Sequence, residues 1–118
     1  MTPTSARPLE HPRLEEIRLE AVLHALSDPM RLQVVRHLAT LGDACETPCS
    51  AIDLAVTKST STHHFRVLRE SGVICQIYRG TAKMNRLRRD DLDQLFPRLL
   101  DTILAADAAQ LRRLGPGH

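Results

Sequence analysis

Thr57-Lys58-Ser59-Thr60-Ser61-Thr62-His63-His64-Phe65-Arg66-Val67-Leu68-Arg69-Glu70-Ser71-Gly72 is the stretch that decides the fold. Thr57 is a good helix N-cap, because its hydroxyl can accept from a first-turn amide that lacks a backbone partner. Gly72 is a good stop, since glycine takes the left-handed conformation in which helices end. Between them Phe65 and Leu68 share a face, with Ser61 and Thr62 one turn earlier. The spacing predicts a helix over about 57–70. Its first turns carry hydroxyls and one lysine, groups that can approach phosphates and base edges closely.

Moving downstream, Val73, Ile74, Ile77 and Tyr78 form a β-rich run, and Gly80 in Arg79-Gly80-Thr81 suits a tight turn. Ala82 to Leu87 alternates and can return as a second strand. A two-stranded hairpin over about 73–87, cationic at its tip through Arg79 and Lys83, is expected. From Asp90 helical spacing resumes through Leu92, Leu95, Phe96, Leu99, Leu100, Ile103, Leu104 and Leu111. Pro97 should interrupt it, giving a short helix at 91–96 and a longer one at about 97–113. Asp90, Asp91 and Asp93 place negative charge where the helix dipole favours it. Residues 114–118 read as a flexible tail.

Moving upstream, Ser27-Asp28-Pro29 is a stop followed by a restart: Asp28 can cap, and proline suits the first helical position. Leu14, Ile17, Val22, Leu23 and Leu26 predict a helix from about residue 9 or 13 to 26. Met30, Leu32, Val34, Val35 and Leu38 predict the next, from Pro29 to about Thr40, with Gly42 as its stop. Residues 41–50 are a polar loop, followed by a short helical segment at Ser50–Leu54. The first eight residues lack the apolar centre of a secretion signal and read as a flexible arm. A single domain over 9–113 is expected.

The 118 residues, 42% hydrophobic and 25% charged, are ordinary for a soluble globular chain. No apolar run approaches the ~18 residues of a membrane span. Aromatics are only 3%, so a base-stacking sheet of the RNA-binding kind is nearly excluded. The net charge of +2 conceals an uneven distribution. From Thr57 to Arg89, eight basic residues face one acid, Glu70, a local balance of +7, so the rest of the chain carries −5. That is the footprint of a polyanion-binding surface, although a solvated basic face would look alike. Three cysteines, an odd number, argue for a reducing, cytoplasmic setting. Cys45 and Cys49 could form a thiol switch near the hydroxyl-rich helix or, with only two ligands, part of a soft-metal site, or be two unremarkable loop cysteines. Cys75 reads as a small core residue. There is no glycine-rich phosphate loop, paired-carboxylate cleft or nucleophile elbow. The chain is not expected to be an enzyme, and no cofactor is implied.

The order is helix, helix, short helix, hydroxyl-rich helix, basic hairpin, helix. A mainly α winged helix-turn-helix gives that order: its second helix enters the DNA major groove and the wing reaches alongside. Leu26-Ser27-Asp28-Pro29-Met30-Arg31-Leu32 then resembles the Ala-Leu-x-Asp-Pro-x-Arg-Leu motif of ArsR-type winged-helix repressors. Residues 58–74 resemble that family's recognition helix and following turn, and Arg79-Gly80-Thr81 is similar to its wing turn. The resemblance covers about residues 20–105. It implies a homodimer joined through the first and last helices, bound to a roughly palindromic operator and released by a signal.

The family's metal sites do not carry over. Its metal-sensing members have Cys-x-Cys near the third helix, where this chain has three residues, one of them proline, between Cys45 and Cys49. Others use histidines of the last helix, which here offers Asp101 and Asp107 but no histidine before His118.

Lys58, Ser59, Thr60, Thr62, His63, His64 and Arg66 are the expected DNA contacts of the helix, with His64 equally readable as a packed residue. Arg79 and Lys83 are the expected phosphate contacts of the wing. A second class of function stays open: a winged-helix module for protein–protein interaction whose basic face binds an acidic partner.

Overall fold

A computed structural model of the chain describes residues 6–42 and 46–115. The chain falls into two compact units that part after Arg88, where the sequence predicts one domain over 9–113. The first unit contains β1 (Ala6–Pro8), a 3-10 turn at Leu14–Glu16, α1 (Leu19–Leu26), α2 (Pro29–Leu41) and β2 (Thr47–Pro48). A second 3-10 turn at Cys49–Ala51, α3 (Lys58–Glu70), β3 (Ile74–Arg79) and β4 (Ala82–Leu87) complete it.

The start of α2 follows from Asp28 and Pro29. The Asp28 carboxylate accepts from the amides of Met30 and Arg31 at 2.8 and 3.2 Å, and Pro29 has no amide to satisfy. α3 starts the same way, with Thr57 Oγ1 accepting from the Thr60 amide at 3.2 Å. Val22, Ala25 and Leu26 of α1, Val34, Val35 and Leu38 of α2, and Phe65 and Leu68 of α3 are buried in an aliphatic core. The strands form one antiparallel sheet in the order β1-β3-β4-β2. Both edge strands carry a proline, Pro8 and Pro48, which lacks the amide that an added strand would use. The β3–β4 register runs from Ile74 opposite Leu87 to Arg79 opposite Ala82. It turns Ile74, Gln76, Asn85 and Leu87 to one buried face, which lies against α3 and α2.

Three predicted elements change. The first helix begins only at Leu19, because the backbone is extended at Ile17 and Arg18. The cause is tertiary: the Ile17 side chain sits over Gly72, where an added Cβ would lie 2.6 Å from Ile17 Cγ1. The arm predicted to be flexible over residues 1–8 contains a paired strand at Ala6–Pro8, while residues 1–5 lie outside the described residues. The helical segment predicted at 50–54 is reduced to the turn Cys49–Ala51.

The second unit holds α4 (Arg89–Leu95) and α5 (Leu99–Leu114), broken around Pro97 as predicted. Arg98 takes the left-handed conformation, φ 67°, just ahead of α5. Arg89 Nη1 donates to Asp101 Oδ1 at 2.8 Å, joining the two helices. Among the described residues no helix is long and apolar enough to cross a membrane.

Gly72 has φ 89° and meets Ile17, whereas Gly80 has φ 62° and open space around its Cβ position. A left-handed alanine costs on the order of 1–3 kcal/mol, and forcing a methyl into packed atoms costs about 1–3 kcal/mol more. Urea unfolding should place Gly72→Ala at least ~1 kcal/mol below Gly80→Ala. Equal midpoints for the two variants would show that the Ile17 contact is not tight.

Candidate nucleic-acid interface

The first turns of α3 present the predicted side chains to solvent. Lys58, Ser59, Thr60, Thr62, His63 and Arg66 are all exposed. Lys58, Thr62 and Arg66 form one stripe, with Ser59 and His63 beside it, as helical spacing requires. Two hydroxyls are partly engaged at home: Thr57 Oγ1 lies 2.9 Å from Thr60 Oγ1, and Thr62 Oγ1 donates to the Lys58 carbonyl at 3.0 Å. Thr60 accepts from Thr57 and keeps its own hydroxyl hydrogen for an outside acceptor.

His64 is corrected. Sequence placed it among the DNA contacts with a packed role equally open; it is packed, only 7% exposed and turned into the unit. Its Nδ1 lies 3.2 Å from Arg31 Nη1. Arginine can only donate, so Nδ1 accepts and the ring is the neutral tautomer protonated at Nε2. That Nε2 lies 4.0 Å from Asp28 Oδ1. Arg31, itself buried, also donates to the Ala25 and His24 carbonyls at 2.8 and 3.3 Å. The helix-start motif and α3 are therefore one interlocked assembly.

The wing differs from its expected role in one respect. Arg79 makes a bidentate pair with Glu46, at 2.6 and 2.9 Å, which neutralises it at the hairpin tip. The pairing holds the Glu46 carboxyl below its usual range and raises Arg79. Lys83, by contrast, lies across a groove of about 550 Å³ from Lys58, Ser61 and Thr62 of α3. Ile52, Leu54 and Phe65 form the apolar part of that groove.

A buried polar network, not anticipated from sequence, fixes the wing to α3. Gln76 and Asn85 face each other across β3 and β4, fully buried. Gln76 Nε2 donates to Asn85 Oδ1 at 2.8 Å, and Arg69 Nη1 of α3 donates to Gln76 Oε1 at 2.7 Å. Asn85 Nδ2 donates to the Thr47 carbonyl and to Cys49 Sγ, each at 3.1 Å. The sequence signal was there: alternation puts Gln76 and Asn85 in phase with Ile74 and Leu87, so two polar groups occupy core positions. Cys45 lies outside the described residues, and only Cys49 of the predicted thiol pair can be placed. Among the described residues no group of three His, Cys, Asp or Glu side chains is arranged to hold a metal ion.

Burial holds the His64 imidazole below its ordinary pKa of 6.5, opposed by Asp28 and assisted by the charges of Arg31 and His63. His11 is lowered too, first by burial. Its Nε2 accepts from the Gln76 amide at 2.8 Å, a bond that needs the neutral ring. The unfolded chain takes up protons below 6.5 that these two folded histidines refuse, so their contribution is complete above that value and is lost as pH falls through it. Urea midpoints should therefore drop between pH 7.5 and pH 5, and drop less in His64→Asn. A variant as pH-sensitive as the parent would remove His64 from the account.

No family model matches the chain. It is 31% identical over 91 residues to an uncharacterized HTH-type transcriptional regulator, YceK, of Bacillus subtilis (strain 168), a match covering 75% of this chain and 88% of that protein. The crystal structure of the transcriptional repressor BigR from Xylella fastidiosa aligns with 75% of this chain and 84% of its own, with a TM-score of 0.56 and 22% identity. The crystal structure of an ArsR family transcriptional regulator aligns with 92% of this chain and 99% of its own, with a TM-score of 0.56 and 18% identity. The two structures establish a shared fold, and the Bacillus relative establishes kinship. The chain belongs to the HTH-type transcriptional regulators and has the winged-helix fold of their ArsR-type members.

Proposed function

We propose that the protein is a homodimeric, sequence-specific repressor that holds a roughly palindromic operator and leaves it when a signal arrives. In this reading α3 enters the major groove, its exposed Lys58, Ser59, Thr60, Thr62, His63 and Arg66 reading bases and phosphates. The wing lies along the backbone through Lys83. The cytoplasm, where the chromosome is, would be its place of work.

The observation that carries this reading is the exposed stripe of α3, facing Lys83 across a groove and containing no acid on its first turns. The dimer draws support from α1, which leaves Leu19 and Leu23 at 42% and 44% exposure one helical turn apart, and from Leu114 on α5 at 49%. Apolar side chains of this size at helical spacing suit burial against a second copy.

Fluorescence anisotropy tests it, using a labelled duplex from upstream of the protein's own gene and a random duplex of equal length. The parent should prefer the upstream duplex, with affinity falling steeply as salt rises. Lys58→Ala should weaken both duplexes about 3–10-fold and lower the salt slope by about one. Thr60→Ala and His63→Ala should instead narrow the gap between the duplexes, by roughly 1–3 kcal/mol of discrimination for a lost base contact. Equal affinity for the two duplexes at every salt concentration would favour the protein–protein module instead. The Glu46 pairing adds a sharper expectation. Glu46→Gln frees Arg79 and removes an acid beside the DNA, so it should tighten binding several-fold and raise the salt slope by about one. An unchanged slope would show that the hairpin tip does not touch phosphate.

A further inference from the structure

We propose that the N-terminal strand is a working part of the wing: Arg7 is a further phosphate-contacting cation, set beside Lys83 by Tyr78. The inference rests on the DNA-binding reading above and extends it to a segment outside the helix-turn-helix and its hairpin.

Arg7 in β1 stands opposite Tyr78 in β3, and Tyr78 stands opposite Lys83 in β4. Directly opposed residues of neighbouring strands point to the same face of a sheet. Arg7, Tyr78 and Lys83 thus form one row across three strands. The side chains confirm the row: the Arg7 guanidinium carbon lies 5.1 Å from the Tyr78 ring centroid, and the Lys83 ammonium lies 5.5 Å from it. Two cations that would repel each other are both held against the negative face of one ring.

The row faces the recognition helix. Strand alternation puts Tyr78 on the same face as Gln76, which accepts the hydrogen bond from Arg69 of α3. Lys83, at the end of the row, shares the groove with Lys58 and Thr62. Arg7 therefore continues a basic surface that runs from α3 across the wing tip. Arg79, one position along β3, lies on the opposite face and is already neutralised by Glu46.

The strand is anchored, so Arg7 is offered from a fixed place. The Leu9 amide donates to the Gln76 carbonyl at 3.2 Å, and His11 Nε2 accepts from the Gln76 amide at 2.8 Å. Both backbone groups of one buried residue clip the segment that follows β1. Arg7 is exposed, and among the described residues no carboxylate pairs with it or with Lys83. Two uncompensated cations on one ring, next to a basic helix face, suit a polyanion with closely spaced charges, the phosphate backbone of duplex DNA.

The test uses the full chain and the two duplexes above. Arg7→Ala should weaken binding to both by a similar factor, about 3–10-fold, and lower the salt slope by about one. Arg7→Lys should restore most of the affinity and the slope, while Arg7→Glu should weaken binding beyond Arg7→Ala. Urea unfolding of Arg7→Ala should stay within about 1 kcal/mol of the parent, because the backbone pairing of β1 remains and only an exposed cation–ring contact is lost. Parental affinity and slope in Arg7→Ala overturn the proposal, as does a loss that Arg7→Lys fails to restore. Lys58→Ala run in parallel separates the two ideas. If it weakens binding and Arg7→Ala does not, only the N-terminal strand is wrong. If neither changes binding, the DNA-binding reading fails, and this proposal with it.

Discussion

The Arg31 guanidinium is the point on which the interface depends. Its Nε and Nη2 donate to the Ala25 and His24 carbonyls at the end of α1, and its Nη1 donates to His64 in the middle of α3. The cation sits where the aligned dipoles of α1 leave partial negative charge and near the Asp28 carboxylate, which compensates its burial. Asp28, next door, holds the first amides of α2 and approaches the same imidazole. One side chain therefore fixes the end of α1, the start of α2 and the rotation of α3. Arginine suits this position because its donors form a rigid, permanently charged fork; lysine could not reach three acceptors in those directions. Removing one member leaves buried polar groups unpaired, at about 1–3 kcal/mol each.

The orientation of α3 then decides which of its residues see solvent. With Phe65, Leu68 and His64 turned inward, the hydroxyl and basic groups of the first turns turn outward. The buried Gln76–Asn85 pair does for the wing what Arg31 does for the helix. Through Arg69 it ties the sheet to α3, and through Thr47 and Cys49 it ties in the segment ahead of α3. Helix and wing hold their relative positions through hydrogen bonds that are directional, as a surface matched to a duplex requires. The charge follows the same logic. The +7 of residues 57–89 is distributed so that Lys58, Arg66 and Lys83 stay available while Arg79 is paired.

The features legible in the sequence were those with local causes. Asp28 and Pro29 start one helix through bonds to the next residues, Thr57 and Gly72 bracket another, and Pro97 follows the end of a third; the structure has all three. The hairpin was legible because alternation and Gly80 act within a few residues. What could not be read depends on partners far along the chain. The break before α1 arises from Ile17 meeting Gly72. The strand at Ala6–Pro8 exists because β3 offers a free edge; nothing in Ala-Arg-Pro favours a strand. Arg79 loses its freedom to Glu46, 33 residues away. His64 was readable either as a DNA contact or as a packed residue, and Arg31, far along the chain, decides for the packed one. In the candidate site, then, side-chain identities were legible, while long-range ion pairs and burial decided which were available.

The central claim is that α3 and the wing present one continuous surface to a specific duplex, twice in a dimer. Hydroxyl-radical footprinting on the DNA upstream of the protein's own gene tests it most directly. Two protected half-sites centred about one helical turn apart, or a multiple of it, are the expected result. Uniform protection, or none, at concentrations that saturate binding would contradict it.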